Sequence, residues 1–345
     1  MISRRILLTT VATALVIASA VGLSWQAGAI VGGERDCSSN ALGTAGGGCS
    51  YPTVGALVAS FEPSGWISGC TTRLIYNAPS AAVLLTAAHC MQEGLEVRSG
   101  DGVTFDSQTV DDSVNPYARH VVQPDRLIVP DAVILHPRAR SSFVPGTDPG
   151  GNSQAFVDSD FALLVFDDPA KLSRLNTTWS LPYGKLVDLP APGFFDTLTP
   201  KAFRELPLID VGYGRDWINS DRPSGQQNTG RQDGNNGGFR SVAHLTPTGV
   251  SAQDRLLTSQ VQSKDEEGIC YSDSGSSAFL PARAGRLPMI VAMPTWVDDG
   301  GSKCGSTVQW TRLDRPNALK FIGCGFEAGG AAAIRTCVEQ AFPKT

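Results

Sequence analysis

The sequence predicts an all-β protein. Short apolar runs separated by clusters of turn-forming residues dominate the chain, which is typical of many short strands. Only 18% of the 345 residues are charged, whereas glycine (37) and proline (22) are abundant, a composition that suits strands and turns better than a helical bundle. The predicted strands are Val54–Phe61, Arg73–Ile75, Ala82–Thr86, Leu127–Leu135, Phe161–Phe166, Leu208–Tyr213, Leu256–Val261, Ser277–Leu280, Met289–Met293 and Thr307–Leu313.

Length and charge limit the function classes. A chain of 345 residues is long enough for one large or two ordinary domains with proper cores. Its hydrophobic fraction of 41% is ordinary for a folded chain. A formal net charge of −5 argues against a protein built to bind nucleic acid or acidic membranes.

The first 29 residues are typical of an export signal. Two arginines precede an apolar run that extends to about Leu23, and small-residue cleavage sites lie at Ala20 and Ala29. Cleavage after Ala29, or cleavage after Ala20 followed by loss of a 21–29 propeptide, predicts a secreted, extracellular chain with no stable membrane anchor. A membrane anchor is the alternative interpretation of the apolar run. The arginine pair leaves both the general and the twin-arginine export routes open.

The eight cysteines agree with export. Their number is even and they contain no C-x-x-C pair, which favours disulfides in an oxidising compartment over a zinc site. Spacing alone leaves the pairing open.

Three short segments carry the residue types of nucleophilic catalysis. His89 follows an apolar strand, Asp160 opens another strand, and Ser274 lies in a tight turn of glycine and serine. A serine hydroxyl becomes a nucleophile when an imidazole accepts its proton, and the imidazole needs a carboxylate to orient it. Each residue taken singly is more typical of an ordinary structural role, so the hypothesis depends on the set.

In their chain order, these segments resemble the trypsin/chymotrypsin family of serine proteases. Ile30-Val31-Gly32-Gly33 is similar to the mature N-terminus of such enzymes. Further similar segments, which extend the resemblance to about residue 322, are Val133–Pro137, Asp210–Gly214 and Thr311–Leu313.

The resemblance implies a fold and a domain organisation. It implies two packed six-stranded antiparallel β-barrels with a short C-terminal helix, which Asp314 is expected to cap. Residues 30–185 would form the first barrel and residues 186–323 the second. Residues 324–345 would form an extension closed by a disulfide.

The resemblance also implies the role of each site residue. His89 would be the general base and acid, Asp160 its orienting carboxylate and Ser274 the nucleophile of a secreted endopeptidase that forms an acyl-enzyme. The backbone N–H groups of Ser272 and Ser274 would form the oxyanion hole. The implied disulfides are Cys70–Cys90 and Cys270–Cys304, which leaves Cys37–Cys49 and Cys324–Cys337 as the other two pairs.

Activation in this family depends on a new N-terminus. The freed amino group of Ile30 would pair with Asp273, because a buried carboxylate needs a charged partner or strong hydrogen bonds. Ala29 rather than arginine or lysine precedes Ile30. Signal peptidase could therefore expose Ile30 directly, and removal of a short propeptide is the alternative.

The nucleophile segment departs from the family pattern. Ser272 stands where the family has glycine, and serine resists backbone angles that glycine adopts freely. One donor of the oxyanion hole can thus be turned away. This suggests an alternative function, a catalytically attenuated homologue that acts as a binding protein. Hydrolysis of small esters by the same chemistry is a third hypothesis.

The resemblance places the specificity pocket at Gly268, Ile269 and Val308. An apolar floor offers no counter-charge to arginine or lysine, which favours small or medium apolar residues before the cleaved bond. A slipped register would bring Glu266 or Glu267 into the pocket and reverse this preference.

The expected partners follow from the resemblance as well. They are protein or peptide substrates, with a proteinaceous inhibitor as a further candidate, and the family default is a monomer. No cofactor and no metal are expected, since the acidic residues near Asp106 lack a dense ligand loop for calcium.

Overall fold

The structure is a computed structural model, and not every residue of the chain is described by it. The described residues are 34–36, 49–61, 65–91, 102–107, 109, 124–139, 159–214, 240–252, 254–259, 269, 273–297, 307–327 and 329–343. The predicted export signal lies outside them. Among the described helices, none has the length and apolar character needed to cross a membrane.

Fourteen strands are described in two antiparallel sheets, which confirms the all-β prediction. In chain order they are β1 (Glu34–Arg35), β2 (Val54–Phe61), β3 (Gly65–Ala78), β4 (Ala81–Thr86), β5 (Gly102–Thr104), β6 (Ala132–Leu135), β7 (Ala162–Phe166), β8 (Gly184–Lys185), β9 (Leu208–Gly212), β10 (Ser241–Val250), β11 (Leu256–Ser259), β12 (Ala278–Leu280), β13 (Met289–Val297) and β14 (Thr307–Arg312).

The first sheet is a half-barrel. Its strand order is β5-β2-β3-β4-β7-β6, and β8 pairs with β3. The edge strands β5 and β6 do not pair with each other in the described residues. An isolated bridge between Val103 and Ile128 instead joins β5 to the segment before β6. The expected six-stranded first barrel is therefore open along this seam.

The second sheet closes into a six-stranded barrel. Its order is β10-β11-β14-β13-β12-β9, and β9 also pairs with β10. Closure leaves the barrel without free edges. The short strand β1 adds to β10 from outside, with Glu34 opposite Val242. This architecture of two packed antiparallel sheets is consistent with a chymotrypsin-like fold.

Strands β4 and β7 are neighbouring interior strands of the first sheet and are buried on both faces. Successive side chains of a strand point to opposite faces. Val83 and Leu85 accordingly face the core shared with the second barrel, whereas Leu84 faces the core of the first. Burial on both faces makes β4 a rigid support for the residues that follow it.

Four helices complete the described fold: α1 (Pro169–Trp179), α2 (Pro200–Arg204), α3 (Pro316–Cys324) and α4 (Gly330–Ala341). The Cys324–Cys337 disulfide joins α3 to α4, which confirms the predicted closure of the C-terminal extension. The predicted cap of α3 is wrong. Arg315 occupies the cap position and its side chain does not cap the helix, whereas the Asp314 carboxylate binds Arg312 and the Phe195 amide.

A buried polar network ties the two sheets together around Arg240. Its Nε donates to Asp36 Oδ2 (2.7 Å), and its Nη1 donates to the carbonyls of Val54 and Phe105 (both 3.1 Å). The Tyr213 hydroxyl donates to the Asp106 carbonyl at 2.7 Å. Because the second-barrel residues bind backbone groups of the first, the network fixes the relative position of the two sheets.

Candidate active site

His89 lies directly after β4, in a single 3₁₀ turn over Ala88–Met91. The next residue, Cys90, is joined by a disulfide to Cys70 on the neighbouring strand β3, as predicted. A buried strand on one side and a covalent link on the other hold the histidine backbone in place. The imidazole nevertheless stays partly accessible, since 22% of the His89 side chain is exposed.

Asp160 binds both the backbone and the ring of His89. Its Oδ1 accepts the His89 backbone N–H at 2.8 Å, and its Oδ2 lies 2.8 Å from the ring Nδ1. An ionised carboxylate only accepts hydrogen bonds, so Nδ1 carries the proton in this contact. The neutral imidazole then has its lone pair on Nε2, the tautomer that a general base requires.

The environment of this pair shifts the pKa of His89. Burial lowers it, but the charge of Asp160 and its hydrogen bond to the ring raise it by more, so the pKa lies above its ordinary value. Only 1% of the Asp160 side chain is exposed. The carboxylate therefore stabilises the protonated imidazole that proton abstraction would create.

Ser274 lies in a segment of the second barrel that packs against the histidine segment of the first. The Ser274 carbonyl accepts the backbone N–H of Thr71 at 2.8 Å, and Cys90 Sγ is 3.7 Å from the same oxygen. Because Cys90 follows His89 directly, the structure brings the predicted nucleophile segment next to the predicted base.

Gly275 explains how this close approach is possible. Its φ of +84° is a conformation that residues with side chains rarely adopt. A Cβ at this position would also collide with Thr86 Oγ1 and the Thr71 carbonyl. Glycine is required on both counts immediately after the predicted nucleophile.

Thr71 connects the three segments around the candidate site. Its backbone N–H donates to Ser274, its carbonyl accepts from Thr86 Oγ1 (2.8 Å), and its Oγ1 accepts the backbone N–H of Tyr213 (3.0 Å). One residue of β3 thus contacts the nucleophile segment, the strand that leads to His89 and the strand end at Tyr213.

Asp273 is fully buried, and its Oδ1 accepts the Gly214 N–H at 2.7 Å. A Cβ on Gly212 or Gly214 would collide with this carboxylate. The packing therefore accounts for both glycines of the Asp210–Gly214 motif. The predicted partner of Asp273, the amino group of Ile30, lies outside the described residues.

Several other predicted site residues also fall outside the described part of the chain. They are Gly268, Ser272, Cys37, Cys270 and Cys304. Cys49 is disulfide-bonded. The oxyanion hole, the Cys37–Cys49 pair and the Cys270–Cys304 pair therefore stay predictions.

Ile269 and Val308 are described, and both are fully buried. They belong to the apolar core of the second barrel, together with Ala292 and Trp310. Their role in a specificity pocket stays a prediction.

Two charged residues beside the site are not predicted by the sequence reasoning. Arg255 is buried, donates to Gln309 Oε1 at 2.9 Å and interacts electrostatically with Asp160, although burial lowers the pKa of Arg255. Asp210 is buried on β9, and its Oδ2 accepts from Ser276 Oγ at 3.0 Å. A charged residue within the apolar run Leu208–Tyr213 is the signal that could have identified Asp210.

Among the described residues, the Cys70, His89 and Cys90 ligand atoms lie within 4.8 Å of one another. Both sulfur atoms belong to one disulfide and are not thiolates. Metal binding by cysteine requires the thiolate, so this group does not form a cysteine–histidine metal site.

The chain was compared with family models, curated proteins and solved structures. No family model matches the chain, and no curated protein matches it. Solved structures that match include one of HL collagenase at 1.7 Å resolution, which is 15% identical and has a TM-score of 0.42. The match covers 83% of this chain and 94% of that one.

Proposed function

We propose that this protein is a secreted serine endopeptidase of the trypsin/chymotrypsin type, with Ser274, His89 and Asp160 as its catalytic triad. The observation that carries the proposal is the two-point contact of Asp160 with the backbone and ring of His89, next to the Ser274 segment. This contact leaves the Nε2 lone pair of His89 available as a base, and the neighbouring Ser274 segment supplies a hydroxyl, the two groups that acyl transfer needs.

In the proposed reaction, His89 Nε2 accepts the Ser274 hydroxyl proton while Oγ attacks the peptide carbonyl. The N–H groups of Ser272 and Ser274 stabilise the oxyanion. The protonated imidazole, stabilised by Asp160, then gives its proton to the leaving amine as the C–N bond breaks. Water, deprotonated in turn by His89, cleaves the acyl-enzyme and restores the Ser274 hydroxyl.

Processing and specificity belong to the same proposal. Removal of the export signal exposes Ile30, whose amino group pairs with the buried Asp273 carboxylate and orders the oxyanion hole. The burial of Ile269 and Val308 in an apolar core supports a preference for small or medium apolar residues before the cleaved bond.

The direct test is the intact mass of the secreted protein before and after treatment with a fluorophosphonate. We expect one adduct on a chain that begins at Ile30, and no adduct on Ser274→Ala. Ser173→Ala, which removes an exposed hydroxyl on α1, is the matched control and should react like the wild type.

Absence of an adduct on a processed, folded wild-type chain would contradict the proposal. It would instead favour an attenuated homologue that acts as a binding protein, with Ser272 disrupting the oxyanion hole. For an active protein, turnover of matched amides and esters would separate a peptidase from an esterase.

A further inference from the structure

Arg73 and Asp210 form a buried pair of opposite charges across the two sheets. Arg73 lies on β3 of the half-barrel and is 2% exposed, whereas Asp210 lies on β9 of the closed barrel and is fully buried. The guanidinium carbon of Arg73 is 4.2 Å from the ring centroid of Phe279 on β12. The pair therefore lies where β3 packs against the strand that follows the nucleophile segment.

Several polar atoms of these two residues have no hydrogen-bond partner in the described structure. Arg73 Nε and Nη1, and Asp210 Oδ1, are buried atoms without a hydrogen-bond partner in the described structure. Uncompensated burial of a charged group is costly. Each group consequently depends on the charge of the other.

One polar contact links this pair to the predicted nucleophile. Ser276, two residues after Ser274, donates its hydroxyl to Asp210 Oδ2 at 3.0 Å, and its backbone N–H donates to the Asp273 carbonyl at 2.9 Å. Ser276 is itself 1% exposed. Asp210 thus holds the end of the short turn in which Ser274 lies.

We propose that Asp210 is a positioning residue for the reaction at Ser274: it holds the nucleophile segment through Ser276, and the buried Arg73 of the other sheet supplies its counter-charge. This inference rests on the proposed function. It gives the buried residues Arg73 and Asp210 a role in aligning the Ser274 Oγ for attack.

The proposal has a consequence for pH dependence. Burial raises the pKa of Asp210, while Ser276 and Arg73 lower it, and the result is about 7. Protonation of Asp210 removes the counter-charge of the buried Arg73, whose own pKa is lowered by burial to about 10. A competent site therefore needs two deprotonated groups, His89 and Asp210.

The test must distinguish the titration of Asp210 from the effects of the charged and titratable groups around it. Arg73 interacts with Asp210 from β3, Tyr51 interacts with Arg73, and Asp273 lies against Gly212 and Gly214 at the end of β9. His244 lies on the paired strand β10, opposite Ile209, and is exposed. Replacement of His244 therefore serves as the control for a nearby histidine outside the proposed site.

The experiment measures the second-order rate constant of fluorophosphonate labelling at Ser274 as a function of pH. In the wild type, we expect the acid limb of the logarithmic profile to approach a slope of two. Asp210→Asn keeps an acceptor for Ser276 but removes the charge, and we expect a slope of one and a rate about 10- to 100-fold lower on the alkaline plateau. His244→Gln should keep the wild-type profile.

Two further variants separate positioning from stability. Ser276→Ala should lower the plateau rate as Asp210→Asn does, and the double variant should lose little more, because both act through one contact. Ser276→Ala also provides the test if Asp210→Asn does not fold. Asp314→Asn removes another buried carboxylate charge, one that binds Arg312 and Phe195, and should reduce stability without changing the slope.

Full rate on the alkaline plateau in Asp210→Asn or in Ser276→Ala would overturn the inference while leaving the proposed function intact. Failure of Ser274 to react at any pH would overturn the proposed function and, with it, this inference.

Discussion

Asp160 contacts His89 at two points, the backbone N–H through Oδ1 and the ring Nδ1 through Oδ2, both at 2.8 Å. A single carboxylate thereby fixes both the position of the residue and the orientation of its ring. The two contacts use different oxygens. Replacement of one carboxylate oxygen by an NH₂ group can therefore keep the contact that positions the His89 backbone and remove the one that stabilises the protonated ring.

Asp160→Asn tests this separation. An amide can keep an oxygen for the His89 backbone N–H, but it cannot accept from Nδ1 and stabilise the imidazolium with a charge. We expect labelling of Ser274 by a fluorophosphonate to slow by about 10⁴-fold, with an almost unchanged melting temperature. Asp168→Asn, at the exposed cap of α1, is the matched control and should keep the full rate.

The pH profile of the same variant gives a second prediction. Asp160 raises the pKa of His89, so the wild-type rate should fall as the pH drops through a value above 6.5, the ordinary pKa of histidine. Because Asp160→Asn removes the charge that raises this pKa, we expect the histidine part of its acid limb to move to lower pH. An unmoved limb would show that the rate does not depend on His89.

His136 predicts a loss of stability in acid. Its side chain is fully buried, Nδ1 accepts the Arg138 N–H, and burial lowers the pKa of the imidazole to about 4. The folded protein thus binds the proton more weakly than the unfolded chain, and stability falls as the pH drops from about 6.5 to about 4. The loss at this residue amounts to about 3 kcal/mol.

Urea unfolding at several pH values measures this loss. His136→Asn retains an acceptor near the Nδ1 position but does not titrate. We expect this variant to be less stable at neutral pH and to show a flatter dependence between pH 6.5 and 4. If the variant has the same pH slope as the wild type, another group is responsible.

Gly275 and Gly285 form a matched pair for the nucleophile segment. Both have positive φ, +84° and +75°, but a Cβ on Gly275 meets Thr86 and Thr71, whereas one on Gly285 has nothing within 4 Å. Gly285→Ala should cost about 1 kcal/mol for the backbone conformation alone. Gly275→Ala should cost more and abolish labelling of Ser274. Equal effects in both variants would mean that the contact with β3 and β4 does not position the nucleophile.

The two described disulfides can be compared in the same way. Cys70–Cys90 spans 20 residues and anchors the histidine turn, whereas Cys324–Cys337 spans 13 residues and joins α3 to α4. Replacing either pair by alanines should destabilise the fold by about 3 kcal/mol. At temperatures where both variants are folded, we expect the labelling rate of Ser274 to fall only in the Cys70→Ala/Cys90→Ala variant.

The central strands could be predicted from the sequence because strands buried on both faces consist of continuous apolar residues. Strand β2 has the predicted bounds, and β4 and β7 begin within one residue of theirs. Strand β10 was not predicted. It is half exposed, with His244, Thr246 and Thr248 facing solvent, and it contains Pro247, which weakens the apolar signal.

Helix α1 was missed although its signals are in the sequence. Asp168 caps the helix through the amides of Ala170 and Lys171, and Pro169 occupies the first turn. Buried Leu172, Leu175 and Trp179 follow at helical spacing. Because apolar runs typical of strands dominate the chain, this single segment of helical spacing does not stand out.

The site was predictable where it is local in sequence and unpredictable where it depends on long-range pairing. His89, Asp160 and Ser274 each have a recognisable segment, and the structure places these segments together. The electrostatic interaction of Arg73 with Asp210 and the ion pair of Arg240 with Asp36 join residues that are far apart in the chain. No spacing rule predicts such pairs, since the packing of the two sheets brings Arg73 near Asp210, and the pairing of β1 with β10 brings Asp36 to Arg240.

The pairing of β1 with β10 has a consequence for how the chain unfolds. The segment before the half-barrel is bound to the closed barrel through Glu34, Arg35 and the Asp36–Arg240 ion pair. Arg240 in turn binds carbonyls of the half-barrel. Neither sheet can lose its structure without breaking buried hydrogen bonds of the other. We therefore expect the two sheets to unfold together in a single cooperative transition.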